Sequence, residues 1–293
     1  MKGYLFPGQG SQFSGMGKEL DKTTKGNSLF KEANEILGFD ISKIMFDGSK
    51  EDLKQTNIAQ PAIFIHSVVL SKLIGNKFKP DMVAGHSLGE FSALASTGSI
   101  SFKDGLNLVK IRAEAMKEAC DLKSGTMAAV IGIDDELVEK ICTETAGIVV
   151  AANYNCPGQL VISGEKLAIE KACETLKNHG AKRAIILPVG GAFHSPLMEL
   201  AKGQLSQVID DISFTPPCCP IYQNVSSFPT KDPEIIKANL ISQLTAPVRW
   251  TKIIKNMISD GATTFTEVGP GNILQGLCKK IESNCKTESA SIV

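Results

Sequence analysis

Short apolar runs bounded by turn residues alternate along this chain with longer stretches of helical period. Tyr4-Leu5-Phe6 runs into Pro7-Gly8, and Met82-Val83-Ala84 follows the turn signal Lys79-Pro80-Asp81, so both predict short buried strands. Gln60-Pro61 predicts a helix start with proline in the first turn, and Ile63, Phe64, Val68, Leu70 and Leu73 populate its apolar side. Ser101-x-x-Asp104 has the form of a capping box and opens a helix through about residue 119. On that helix Leu108, Val109, Met116 and Ala119 form the apolar stripe, with Asn107, Lys110, Glu114, Lys117 and Glu118 on the wet side. Arg112 lies four residues from Leu108 and four from Met116, on the stripe itself. An arginine there either snorkels outward along its stem or meets an anion in a cleft, and position alone leaves both open.

Between residues 125 and 189 the texture changes. Residues 127–133 predict a strand, 135–144 a helix, 148–152 a strand, 153–158 a turn, 160–163 a strand, 165–179 a helix ended by Gly180, and 184–189 a last strand. The order βαββαβ is that of a ferredoxin-like unit. The segment predicts a small subdomain (125–189) inserted into a larger α/β domain made of residues 1–124 and 190–293. The first texture returns with strands at Pro220-Ile221-Tyr222 and at residues 265–268, and the polar tail beyond Ile281 is expected to fray.

Composition narrows the classes. A chain of 293 residues with 43% hydrophobic and 21% charged residues can bury a substantial core. Lys+Arg and Asp+Glu both number 31, which removes the electrostatic argument for nucleic acid or an anionic membrane as the main partner. Pro7 interrupts the N-terminus before a signal-peptide core forms, and no segment is expected to approach a membrane span. The eight cysteines have neither metal-ligand nor framework spacing, so reduced thiols and a cytoplasmic location are expected.

The candidate chemistry centres on Gly85-His86-Ser87-Leu88-Gly89. This fits G-x-S-x-G between a strand and a helix, the pattern of a nucleophile elbow in a hydrolase-like α/β domain. Small flanking residues let the backbone bend and expose the serine, and the amide of Leu88 then lies near a developing oxyanion. The plainer reading is a strand-to-helix turn with a capping serine. A serine nucleophile needs a base. Of the four histidines, His66 falls in an apolar helix, His179 closes a helix, and His86 should point away across the elbow. His194, in a loop after the last strand of the insert, is either the base or a structural loop residue. Pro7-Gly8-Gln9-Gly10-Ser11-Gln12 follows the first strand, so it should border the same site, since ligands of open α/β sheets bind beyond the strands' carboxyl ends. It lacks the further x-x-Gly of a dinucleotide fingerprint.

These pieces in this order resemble the malonyl-CoA:acyl carrier protein transacylases of type II fatty acid synthesis. The resemblance runs from Phe6-Pro7-Gly8-Gln9-Gly10-Ser11-Gln12 to Glu267-Val268-Gly269-Pro270-Gly271. Between them stand Gly85-His86-Ser87-Leu88-Gly89-Glu90, Asn155-x-Pro157-Gly158-Gln159, Gly191-Ala192-Phe193-His194-Ser195 and Gln243-Leu244-x-x-Pro247-Val248-x-Trp250. It implies that Ser87 is the acylated nucleophile and His194 its base. Gln9 and Leu88 supply oxyanion-hole amides, Arg112 pairs with the malonyl carboxylate, and the Gln243 carbonyl orients the histidine. Asn155 helps position the thioester, and Phe193 fits the malonyl-type pattern. The substrate is malonyl-CoA and the acceptor the phosphopantetheine thiol of acyl carrier protein, with no metal, redox cofactor, nucleic acid or membrane, in a monomer. The rivals are a polyketide-pathway malonyltransferase, an α/β-hydrolase esterase or thioesterase, and a non-catalytic carrier-protein-binding module.

Overall fold

The computed structural model describes residues 1–292. Its strands are β1 (Lys2–Phe6), β2 (Met82–Gly85), β3 (Gly125–Ile131), β4 (Val149–Cys156), β5 (Gln159–Glu165), β6 (Arg183–Ile186), β7 (Ile221–Tyr222), β8 (Pro229–Thr230), β9 (Thr264–Glu267) and β10 (Lys286–Ser289). They form a six-stranded sheet in the order β10-β9-β1-β2-β7-β8 and a four-stranded sheet in the order β4-β5-β3-β6. In the larger sheet all neighbours are parallel except β8, which pairs antiparallel with β7 at one edge. Alternate residues of its central strands enter different cores. Tyr4, Phe6 and Val83 pack into one apolar cluster, and Leu5, Met82 and Ala84 into another on the opposite face. A parallel strand covered on both sides reads as a continuous apolar run, which is how β1 and β2 were visible in sequence.

The smaller sheet is antiparallel throughout. With the helices Asp135–Glu144 and Lys166–Asn178 it makes the ferredoxin-like βαββαβ unit. Ala128, Val130, Leu160 and Ile162 pack with Val138, Ile141, Ile169 and Leu176 of those helices. The alternate residues Met127 and Val161 belong to the main core instead. The small sheet is therefore sandwiched between its own helices and the large α/β domain. Its edge strand β4 is also spliced to the larger domain: Tyr154 N donates to Val248 O at 2.9 Å and Val248 N to Ala152 O at 2.8 Å.

Four local expectations are corrected. The helix expected to start at Gln60-Pro61 runs from Thr56 to Ile74, with Pro61 inside it. Proline forfeits the bond to the carbonyl of Asn57 and its ring crowds that carbonyl, but Asn57 is in the first turn, so the disturbance is confined to the helix start. Thr56–Lys77 is also long and apolar enough to cross a membrane, which the sequence reading did not expect. Gln60, His66, Ser67 and Ser71 interrupt its apolar run, yet its average remains high, and 78% of its most apolar window is buried in this fold. Asn153 to Cys156, expected as a turn, continue β4 with two bulges. The turn is confined to Pro157-Gly158, with Gly158 at φ 71°. Finally, the tail forms β10 on the sheet edge, where Thr266 Oγ1 bonds Glu288 Oε1 at 2.9 Å. An edge strand with mostly exposed side chains has no apolar alternation to reveal it.

Candidate active site

The turn between β2 and the helix Gly89–Ser96 leaves no room for side chains at its ends. A Cβ on Gly85 would lie 1.9 Å from the Gly89 carbonyl carbon, and one on Gly89 would lie 2.1 Å from the Phe6 carbonyl oxygen. Both obstacles are backbone and cannot move aside. Between them Ser87 takes the left-handed conformation at φ 52°, unusual for a residue with a side chain and a mark of functional strain. Gly8 has the same role from the neighbouring loop: its Cβ would meet the His86 carbonyl oxygen at 2.4 Å. Its absence lets the Pro7-to-Gln12 loop rest on the elbow and brings Gln9 beside Ser87 and Leu88 in one cavity of about 360 Å³.

Ser87 Oγ lies 2.8 Å from His194 Nε2. His194 Nδ1 lies 2.8 Å from the Gln243 main-chain oxygen, so Nδ1 carries the proton and Nε2 faces the hydroxyl as an acceptor. No carboxylate is needed to set the tautomer. His194 is 4% exposed, and burial, with the nearby Arg112 charge second, pulls its pKa down to about 3. It is neutral at neutral pH, the state a base must start from.

Arg112 is the second functional feature. It is 1% exposed, so the snorkelling alternative is excluded. Its Nη1 donates to Gln60 Oε1 at 2.5 Å, and its Nη2 to Gln243 Oε1 at 3.0 Å and Ser87 Oγ at 3.1 Å. The guanidinium carbon stands 5.6 Å over the Phe91 ring. Its Nε is buried without a partner among the described residues. Burial lowers the arginine's pKa to about 10, with the Glu90 carboxylate opposing. The cation thus persists at neutral pH inside the pocket that holds Ser87.

The cavity walls are mostly apolar. Met116, Met127, Leu187, Val189 and Phe193 line it together with Leu53 and Phe13, and Lys50 and Lys54 are also part of the lining. An apolar channel ending at a serine, a neutral histidine and a fixed cation suits an acyl group with a negative end. Asn155 is placed differently. Its Oδ1 lies 3.0 Å from His86 Nε2, and it does not line the cavity, whereas Asn153 does. His86 is engaged by Asn155, stands 5.4 Å from the Trp250 ring and lines the same cavity as Ser87.

Three residues of the site escaped the sequence reading. Gln60, noted there only as a helix start, is 1% exposed and anchors Arg112; an amide interrupting an apolar helix was the available signal. Asn224 accepts from Ser87 N at 2.7 Å and in turn donates its own amide to Glu90 Oε1. Glu90 is fully buried, and burial pushes its carboxyl up to about 8 despite the opposing Asn224 hydrogen bond. Nothing in the short segment around Asn224 distinguishes it from a loop asparagine.

A family model described as acyl transferase domain matches residues 3–293. The chain belongs to this acyltransferase family. It is 45% identical to the malonyl CoA-acyl carrier protein transacylase of Bacillus subtilis (strain 168), over 98% of this chain and 92% of that protein. Among solved structures, the malonyl CoA-acyl carrier protein transacylase of Coxiella burnetii superposes with a TM-score of 0.95 at 36% identity, covering 99% of this chain and 93% of that one. A malonyl-transacylase solved in complex with a type II polyketide-synthase acyl-carrier protein matches with a TM-score of 0.94 at 38% identity, over 99% of this chain and 94% of that one. The acyltransferase assignment accounts for the elbow and the histidine, and the acyl group is specified by the rest of the pocket.

Proposed function

We propose that the chain transfers a malonyl group from malonyl-CoA to the phosphopantetheine thiol of acyl carrier protein through a malonyl ester on Ser87. The observation that carries this reading is that one serine oxygen touches both a neutral histidine nitrogen at 2.8 Å and a buried guanidinium at 3.1 Å. The first makes an acyl acceptor. The second selects an acyl group ending in a carboxylate, which a planar fork can hold through two parallel hydrogen bonds.

In the first half-reaction Ser87 Oγ attacks the thioester carbon as its proton passes to His194 Nε2. The oxyanion is held by the Gln9 and Leu88 amides. The carbon–sulfur bond breaks, and the CoA sulfur leaves with the proton from His194. In the second, the phosphopantetheine thiol gives its proton to His194 and attacks the ester. The carbon–oxygen bond then breaks, and Ser87 recovers the proton. The chemistry calls for no metal or redox group. The Gln243 carbonyl fixes the histidine tautomer and its side-chain oxygen fixes Arg112. Asn155 acts at one remove, by holding His86.

The same reading takes residues 125–189 as a subdomain inserted between 1–124 and 190–293, with the substrate channel between the two. It places the protein in the cytoplasm as a monomer serving fatty acid synthesis, where malonyl-CoA and acyl carrier protein meet. Incubation with malonyl-CoA alone should add one malonyl mass to the intact chain, mapped to the Ser87 peptide and absent in Ser87→Ala. Labelling that persists in the alanine variant would overturn the assignment.

A further inference from the structure

Ser87 is held in its left-handed conformation by side chains that arrive from far along the chain. Asn224, fully buried two residues beyond β7, accepts the Ser87 N–H at 2.7 Å through Oδ1. Through Nδ2 it donates to the Gly85 carbonyl at 2.7 Å. One amide therefore spans the residue that ends the strand and the residue that carries the nucleophile. On the other side of Ser87, Gln243 Nε2 donates to its carbonyl oxygen at 3.0 Å. The N–H of the strained residue is thus bonded to a side chain, and its carbonyl accepts from the Gln243 side chain as well as from Glu90 N at 3.1 Å.

Asn224 is itself immobilised. Its N–H donates to Glu90 Oε1, and its carbonyl accepts from Arg249 N at 3.2 Å. Glu90 stands in the first turn of the helix that follows the elbow, so the loop after β7 and the elbow lock each other. The bond has a chemical consequence as well. A nucleophile's own amide is a natural oxyanion donor, as in the serine proteases. Here that N–H is already committed to Asn224 and points away from the pocket chemistry.

We propose that Asn224 is a positioning residue for the acylation step, aiming Ser87 Oγ at His194 and withdrawing the Ser87 amide from oxyanion binding, with Glu90 as its buttress. This rests on Ser87 being the nucleophile. Asn224 touches no reacting atom, and its effect is exerted wholly through the angle of the elbow. Loss of the clamp leaves the pocket walls and the Arg112 cation in place, so substrate binding is retained while the attack geometry is not. A displacement of about 1 Å from attack geometry can cost about 10²-fold in rate.

Rapid-quench measurement of Ser87 acylation by malonyl-CoA tests this. Asn224→Ala is expected to lower the acylation rate constant at least tenfold while the half-saturating malonyl-CoA concentration stays within about threefold. A smaller fall, or a change confined to the half-saturating concentration, overturns the assignment. A wild-type chain never labelled at Ser87 overturns the nucleophile reading and the clamp with it, whereas labelled wild type and an equally fast variant overturn the clamp alone. Should Asn224→Ala not fold, the wild type decides by amide exchange and 15N NMR. The Ser87 amide is expected to exchange slowly, and to keep its shift when Ser87 is capped by a phosphonyl fluoride, while Leu88 moves. A Ser87 amide that exchanges freely, or shifts as far as Leu88, overturns the proposal.

Discussion

Arg112 Nη2 donates to Ser87 Oγ across 3.1 Å, so the charge proposed to read the far end of the acyl group also touches the atom proposed to attack its near end. Selection and reaction share one hydrogen-bond network, closed by Gln60 and Gln243. Removing the cation should therefore separate donors by their charge. Arg112→Ala is expected to lower kcat/KM for malonyl transfer by about 10- to 150-fold. That follows from roughly 1.5–3 kcal/mol for a charge-assisted hydrogen bond at about 1.4 kcal/mol per decade. Acetyl transfer should hold steady or rise, because no unpaired charge is left in the pocket. Assay of both donors on one variant checks this, and equal losses would exclude the carboxylate-clamp role.

The pH profile of acylation should lack a histidine limb near neutrality. With His194 held at about 3, the free enzyme keeps a neutral base from pH 7 down to about pH 4. An unshifted imidazole near 6.5 would lose about tenfold in rate for each unit below its pKa. Stopped-flow acylation between pH 4.5 and 7 distinguishes the two, a tenfold fall by about pH 5.5 counting against the burial argument. His194→Ala should cost at least about 10²-fold, and His86→Ala less, because His86 is engaged with Asn155.

Glu90 makes a different pH prediction, on stability. Its carboxyl rises from 4.5 to about 8 on folding, so the folded state binds the extra proton across that window. The contribution is fully present below about pH 4.5 and is lost as pH climbs through about 8, with a slope of at most about 1.4 kcal/mol per unit. Glu90→Gln cannot titrate and should flatten this decline in urea denaturation series at pH 5, 6.5 and 8. Parallel pH dependence in both proteins would show that Glu90 is charged in the fold.

Two glycine substitutions should move in opposite directions. At Gly85 a methyl would overlap backbone at 1.9 Å, so Gly85→Ala is expected to abolish labelling of Ser87 or the fold itself. Gly203 lies inside the helix Glu199–Asp211 with nothing within 4 Å of an added Cβ. There alanine should stabilise by about 0.4–1 kcal/mol through the reduced freedom of the unfolded chain. Thermal denaturation checks both, and a destabilised Gly203→Ala would count against the packing described for that helix.

What could be read beforehand followed the physics of each element. The β1 and β2 strands, the elbow and the βαββαβ order were legible because burial and chain bending impose local composition. The edge strand β10 was not, since its stability comes from pairing with β9 rather than from its own pattern. The same division holds in the site. Ser87, His194 and Arg112 stood out from motif, loop context and helix face. Gln60 and Asn224 act through contacts 52 and 137 residues away in sequence, distances at which no local pattern carries information. Arg112's two sequence readings were separated only by burial.

The splice between β4 and Val248 bears on traffic. Two backbone hydrogen bonds tie the edge of the small sheet to the segment just after Gln243 and just before Trp250, so the ferredoxin-like unit is tethered at its far margin as well as at its two chain connections. A lobe anchored at three points does not gape like a jaw. On the proposed reading, CoA and the carrier's prosthetic arm must therefore use the same unwidened corridor to Ser87, one vacating it before the other arrives. Alternation of the two thiols is then imposed by occupancy of a single passage, and an excess of either free thiol should act as a plug against the other.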